Sequence, residues 1–145
     1  LQIADDLKDY SRYIDGLHVQ AVYGGTSIES QIRSLKRGAQ VIVATPGRLI
    51  DLMERGVAKL ENVENVVLDE ADEMLNMGFT ESIDAILAGV PENRNTLFFS
   101  ATMSREIERI ARNSLHDYKV IVVGSRNDGA ENVNQTYYLV QARDK

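Results

Sequence analysis

The sequence predicts an α/β fold: a mainly parallel sheet with helices on both faces. Three observations lead there. Short apolar runs alternate with segments of helical period, as βαβ crossovers require. Runs such as Val41–Ala44 and Val66–Leu68 are continuously apolar, the pattern of strands buried on both sides. Three of the runs also end in polar segments: Thr45-Pro46-Gly47-Arg48, Asp69-Glu70-Ala71-Asp72 and Ser100-Ala101-Thr102. In open α/β sheets, ligands bind beyond the carboxyl ends of the strands.

The elements follow in order. Ile3, Leu7, Tyr10 and Ile14 recur at helical steps and mark an amphipathic first helix. His18–Tyr23 is a β-rich run halted by Gly24-Gly25. Thr26 and Glu29 form a capping box for the next helix, whose inward face is Ile28, Ile32 and Leu35. Lys36 and Arg37 occupy its last turn, and Gly38 follows as the C′ residue. Val41–Ala44 is the second strand. Thr45 caps and Pro46 begins a third helix, with Leu49, Ile50 and Met53 inward and Gly56 at its end. Val66–Leu68 is the third strand, and a short acidic helix after it stops near Gly78. Ile83, Ile86 and Leu87 mark a further helix, and Thr96–Phe99 a fourth strand. Ile107, Ile110 and Ala111 mark a last helix, and Val120–Val123 a fifth strand. Gly124–Asn132 is polar and reads as a linker, after which Gln135–Val140 resumes a strand pattern. The expected division is a partial domain over 1–123, a linker over 124–133, and the first strand of a second domain over 134–145.

Composition narrows the function. The 145 residues suit one domain, and 43% hydrophobic content can supply a core. With no cysteine there is neither a disulfide framework nor a thiolate metal site. That is compatible with a reducing interior, so a cytoplasmic or otherwise intracellular location is expected. No apolar stretch approaches the roughly 18 residues of a membrane span. Leu1-Gln2-Ile3-Ala4-Asp5-Asp6 lacks the regions of a signal peptide, so no membrane partner is expected. The formal net charge of -6 confines any nucleic-acid contact to a few local donors. The chain does not begin with Met, which suggests a piece of something longer.

Each strand-end segment has a structural and a chemical reading. Acids in the first turn of a helix complement its dipole, which alone would account for Asp69, Glu70 and Asp72. The chemical reading divides labour among them: Asp69 holds Mg²⁺ through water, and Glu70 orients a water attacking a phosphoryl group. Asp72, three residues on, faces a neighbouring loop. Thr45-Pro46-Gly47-Arg48 is a well-made helix start, and such a start also offers unpaired N–H groups to an anion. Gly47 lets a backbone come close, and Arg48 adds a planar fork suited to phosphate. Such a site holds a phosphate without reading bases. Gly24-Gly25 is a turn or a place of close approach. Ser100-Ala101-Thr102 caps a helix or relays to Asp72. Met74, Leu75, Met77 and Phe79 read as core, and His18 and His116 as isolated structural or exposed residues.

Taken together, these segments resemble the DEAD-box ATP-dependent RNA helicases. The resemblance rests on Gly24-Gly25, on Thr45-Pro46-Gly47-Arg48, on Asp69-Glu70-Ala71-Asp72 continuing through Met74-Leu75 to Gly78-Phe79, and on Ser100-Ala101-Thr102. It implies a RecA-like fold, two copies of which close around ATP and bend one RNA strand so that a short duplex separates. By position it implies Asp69 as the Mg²⁺ acid and Glu70 as the partner of the hydrolytic water. Asp72 with Ser100, Ala101 and Thr102 is implied as the link between hydrolysis and RNA handling. Gly24, Gly25, Thr45, Pro46, Gly47 and Arg48 are implied as sequence-independent RNA-backbone contacts. The implied cofactors of the parent are ATP and Mg²⁺, and its implied partners are RNA and a second RecA-like domain.

The departures carry equal weight. No G-x-x-x-x-G-K-[ST] occurs, and the family's adenine-reading segment and P-T-R-E-L stretch are absent. The expectation is therefore an N-terminally truncated piece of the first RecA-like domain, inactive alone and holding neither ATP nor Mg²⁺ tightly. A strand missing from the sheet would leave backbone groups unpaired. Self-association, a rearranged sheet, or the Gln135–Val140 strand folding back would each repair that. The competing reading is a non-catalytic RNA- or protein-binding module. A more remote one is an unrelated Mg²⁺-dependent phosphotransfer domain.

Overall fold

The computed structural model describes residues 1–115 and 117–123; His116, the linker and the Gln135–Val140 strand lie outside the described residues. Ten elements follow one another: α1 (Gln2–Tyr10), β1 (Val19–Val22), α2 (Ile28–Lys36), β2 (Val41–Ala44), α3 (Pro46–Glu54), β3 (Asn65–Leu68), α4 (Ala71–Asn76), α5 (Thr80–Ala88), β4 (Asn95–Phe98) and α6 (Arg105–Ser114). The order is the α/β alternation that the sequence predicts. β1 and β2 pair in parallel, with Val19 opposite Val41 and Val22 opposite Ala44. β3 and β4 also pair in parallel, with Asn65 opposite Asn95 and Leu68 opposite Phe98. Each ladder is a βαβ unit: α2 crosses over the first, and α4 with α5 crosses over the second. Among the described residues the ladders remain two separate sheets, because no strand lies between them to carry hydrogen bonds across.

Two apolar clusters sit beneath these units. Val22, Leu49, Leu52, Ala58 and Ile86 form the first, with Ile28, Ile32 and Leu35 of α2 packed against it. Leu68, Ile83, Leu87 and Ile110 form the second, with Val66, Met74, Leu75, Phe79 and Phe98 around it. Helix α5 serves both, since Ile86 enters one cluster while Ile83 and Leu87 enter the other. That helix is what joins the two halves. Leu52, fully buried on α3, is an inward residue beyond the expected Leu49, Ile50 and Met53.

Several expectations are corrected. Ser27, not Thr26, is the N-cap of α2: its Oγ accepts from Ser30 N at 3.4 Å and donates to Glu29 Oε2 at 2.7 Å. Thr26 is drawn away because its Oγ1 accepts from Gln31 Nε2 at 2.7 Å. The stripe Ile3–Tyr10–Ile14 is exposed, and α1 ends at Tyr10 with Ala4 its buried residue. Periodicity locates an apolar face, but only a packed neighbour buries it. Val120–Val123 forms no strand, and all four side chains are exposed. Strand-forming side chains are not enough where no ladder partner lies alongside. Among the described residues, helices cover one face of β3–β4. Val67 and Leu97, opposite each other in register, are 56% and 43% exposed, while Val66, Leu68 and Phe98 turn into the core. Gly38, by contrast, ends α2 as expected, at φ +98°. No helix among the described residues is long and apolar enough to cross a membrane.

Candidate functional site

At the end of the β3–β4 ladder, backbone bonds continue past the strands. Phe99 N donates to Leu68 O at 2.8 Å, and Ala71 N donates to Phe99 O at 3.0 Å. These two bonds hold Ser100–Thr102 against the start of α4. The chain turns into α4 at Glu70, which lies in the left-handed region at φ 52° and ψ 47°. A residue bearing a Cβ gives up about 1–2 kcal/mol there. The turn is braced locally, because Glu70 N donates to Asp69 Oδ1 at 3.0 Å. Both side chains, Asp69 and Glu70, are exposed.

Asp72 points the other way. Its Oδ2 accepts from Thr102 N and from Thr102 Oγ1, both at 2.9 Å, and its Oδ1 accepts from Glu73 N at 3.2 Å. The Thr102 hydroxyl is the main reason the Asp72 carboxyl lies below the usual aspartate range, with burial opposing. Ser100 donates its hydroxyl to Thr102 O at 2.7 Å. Ser100 braces the turn and its hydroxyl also helps lower the Asp72 carboxyl, Thr102 makes the two 2.9 Å bonds to Asp72, and Ala101 lies exposed between them.

Among the described residues Asp69 Oδ2 has no protein partner, and no three acidic or histidine side chains gather around a point. Such a site does not suit a stripped ion. It does suit Mg²⁺, which keeps several of its waters and needs one or two carboxylates.

At the end of the β1–β2 ladder, Thr45 N donates to Val22 O at 3.0 Å, which sets the start of α3 beside β1. Thr45 is the extended N-cap with no side-chain cap bond, and Pro46 is the first helical residue. A Cβ added to Gly24 or Gly47 would meet nothing within 4 Å, so the space above both is open. Gly25 sits at φ +79°, a conformation that favours glycine.

Arg48 does not project freely. Its Nη1 donates to Gln31 Oε1 at 3.0 Å and to Thr26 O at 3.3 Å, and its Nη2 donates to the same carbonyl at 3.3 Å. Gln31, which is 4% exposed, completes the network by donating from Nε2 to Tyr23 O at 3.0 Å and to Thr26 Oγ1. Sequence reasoning missed Gln31. A signal was present: Ile28, Gln31, Ile32 and Leu35 share the inward stripe of α2, and a polar residue there needs buried partners.

The structure thus pairs the site segments two by two, Asp69–Asp72 with Ser100–Thr102 and Gly24-Gly25 with Thr45–Arg48. Parallel ladders with phosphate-suited groups at their carboxyl ends place the chain in the class of RecA-like α/β domains. The family model of the DEAD/DEAH box helicases matches residues 1–110, and the chain belongs to that family. It is 49% identical over 130 residues to the DEAD-box ATP-dependent RNA helicase CshA of Streptococcus pneumoniae TIGR4, covering 90% of this chain and 25% of that protein. It is 40% identical over 140 residues to the ATP-dependent RNA helicase DeaD of Escherichia coli K12, covering 97% of this chain and 22% of that one. The chain thus spans about a quarter of these relatives' length. Among solved structures it is similar to a hypothetical ATP-dependent RNA helicase from Sulfolobus tokodaii, with a TM-score of 0.76 and 43% identity over 81% of this chain and 35% of that one. A DEAD box protein from Methanococcus jannaschii gives a TM-score of 0.72 and 41% identity over 81% of this chain and 33% of its own.

Proposed function

We propose that this chain is part of an ATP-dependent RNA helicase in which hydrolysis of Mg-ATP drives local separation of RNA duplexes. The observation that carries the reading is the division within one tetrapeptide. Asp69 and Glu70 stand open to solvent, while Asp72 is tied to Thr102 on the neighbouring strand end. Asp69 would hold Mg²⁺, and the ion would supply charge neutralisation at the phosphates. Glu70 accepts a proton from the attacking water, and its backbone turn aims it away from the Asp72 link. The Asp72–Thr102 bonds, braced by Ser100, pass a change at the acids to β4 and α6. Gly24, Gly25, Thr45, Pro46, Gly47 and Arg48 form the edge that meets the RNA backbone without reading sequence. A second RecA-like domain of the parent chain completes the site, the location is intracellular, and the bare face of β3–β4 is a surface for self-association.

The test uses the full-length protein. RNA-stimulated phosphate release is expected there and is expected to be absent from the 145-residue chain alone, whose sequence lacks G-x-x-x-x-G-K-[ST]. Steady release by the short chain, or none by the whole protein with RNA, overturns the reading. RNA affinity should fall with salt for all sequences alike. Tight, salt-insensitive binding to a single RNA sequence contradicts the assignment of Thr45–Arg48.

A further inference from the structure

Among the described residues Gln31 is the buried polar side chain, 4% exposed, and no buried side-chain polar atom lacks a partner. The partners dictate how its amide is turned. Tyr23 O can only accept and Arg48 can only donate, so Nε2 faces the carbonyl and Oε1 faces the guanidinium. The same amide holds Thr26 Oγ1, and Arg48 holds Thr26 O with both Nη atoms. The residues on either side of Gly24-Gly25 are thereby bound to α2 and to the first turn of α3. Backbone bonds do not make this connection: among the described residues none joins residues 24–26 to α3. With open space above Gly24 and Gly47, the loop and the helix start are held from below and left free above.

We propose that Gln31 is a positioning residue for RNA binding, working through Arg48 and Thr26. It fixes the Gly24-Gly25 loop at a set distance from the N-terminus of α3, so that the two meet one RNA backbone as a preformed surface. The inference rests on the RNA-backbone reading of those two segments. A surface already ordered avoids the cost of arranging itself on binding. The guanidinium suits this link because its planar, fixed donors hold Thr26 O and Gln31 Oε1 in one set geometry, which a point charge on a flexible stem does not impose.

The experiment is steady-state kinetics on the full-length protein with a single-stranded RNA of mixed sequence. Gln31→Met keeps volume and removes the polar ends. It is expected to raise the KM for RNA by about tenfold, the scale of losing a hydrogen bond to a charged group. The kcat at saturating RNA, and the slope of RNA affinity against salt, should stay unchanged because no phosphate contact is removed. Arg48→Lys is expected not to preserve RNA affinity, and the double variant to be no weaker than the weaker single, since both cut one linkage. A lowered melting temperature with an unchanged KM for RNA, or additive single effects, overturns the proposal. Should Gln31→Met not fold, Thr26→Val at an exposed position removes the Oγ1 contact alone. A KM for RNA raised several-fold there supports the linkage, and an unchanged one overturns it. Gly47→Val separates this proposal from the reading beneath it. If that variant leaves RNA binding intact, the RNA-backbone assignment itself fails. If it weakens binding while Gln31→Met does not, only the role of Gln31 fails.

Discussion

At the end of the β1–β2 ladder the polar groups are tied inward, whereas at the end of β3–β4 two of the three acids are left outward. Arg48 and Gln31 close on the carbonyls around Gly24-Gly25, beneath a loop that is itself open above. Asp69 and Glu70 stand exposed on a left-handed turn, and the link to the next strand runs through Asp72 and Thr102. The supports differ as well. The first ladder end rests on a buried amide and a planar guanidinium fork. The second rests on an ionised carboxylate that acid can remove. One end is tied by side chains beneath its loop, and the other leaves two carboxylates open beside a bonded third.

The largest expected effect attacks the second end alone. In the full-length protein Glu70→Gln should lower RNA-stimulated turnover by about 10²–10⁴-fold while ATP still binds, because the amide keeps the shape and cannot take a proton. Phosphate release within a few-fold of the parent would move the base to another residue.

Next comes packing. Leu52, fully buried under the first ladder, should cost about 2–5 kcal/mol as Leu52→Ala in urea denaturation. Val67→Ser, on the bare face of the second ladder, should stay within about 0.5 kcal/mol in the 145-residue chain at concentrations where it is monomeric. A larger cost for Val67→Ser in the full-length protein would show that further chain covers this face there.

A smaller effect is a pH step at the second end. Asp72 is held below its ordinary value of 3.8, so the ionised form is the one that Thr102 binds. The stabilisation is therefore complete above 3.8 and is lost as pH falls through the lowered value. The Thr102 amide resonance should report that loss under acid conditions, and Thr102→Val should move the Asp72 titration back up toward 3.8. A Thr102 amide signal unchanged through that acid range would break the assignment.

A small effect is also expected at Glu70 itself. Glu70→Gly relieves about 1–2 kcal/mol of left-handed strain and adds roughly 0.5–1 kcal/mol of chain entropy cost, a net gain of up to about 1.5 kcal/mol. Greater thermal stability in a variant that has lost turnover would identify the strain as part of the site. Equal or lower stability would show the turn to be relaxed.

By itself the sequence determined what depends on neighbours along the chain. The alternation of periods specified α/β, Gly38 stopped α2, Pro46 started α3, and Asp69–Asp72 and Ser100–Thr102 were placed at strand ends. These are short-range effects, in which a residue's own backbone preference decides. What only the tertiary structure decided depends on partners distant in sequence. Thr26 lost the cap of α2 to Ser27 because Gln31 claimed its hydroxyl, and Arg48 reached back 22 residues to Thr26. Among the described residues, Val120–Val123 carried strand-forming side chains without a ladder to join, and the stripe Ile3–Tyr10–Ile14 found no covering element. Burial and pairing are properties of two surfaces together, and a sequence pattern describes only one of them.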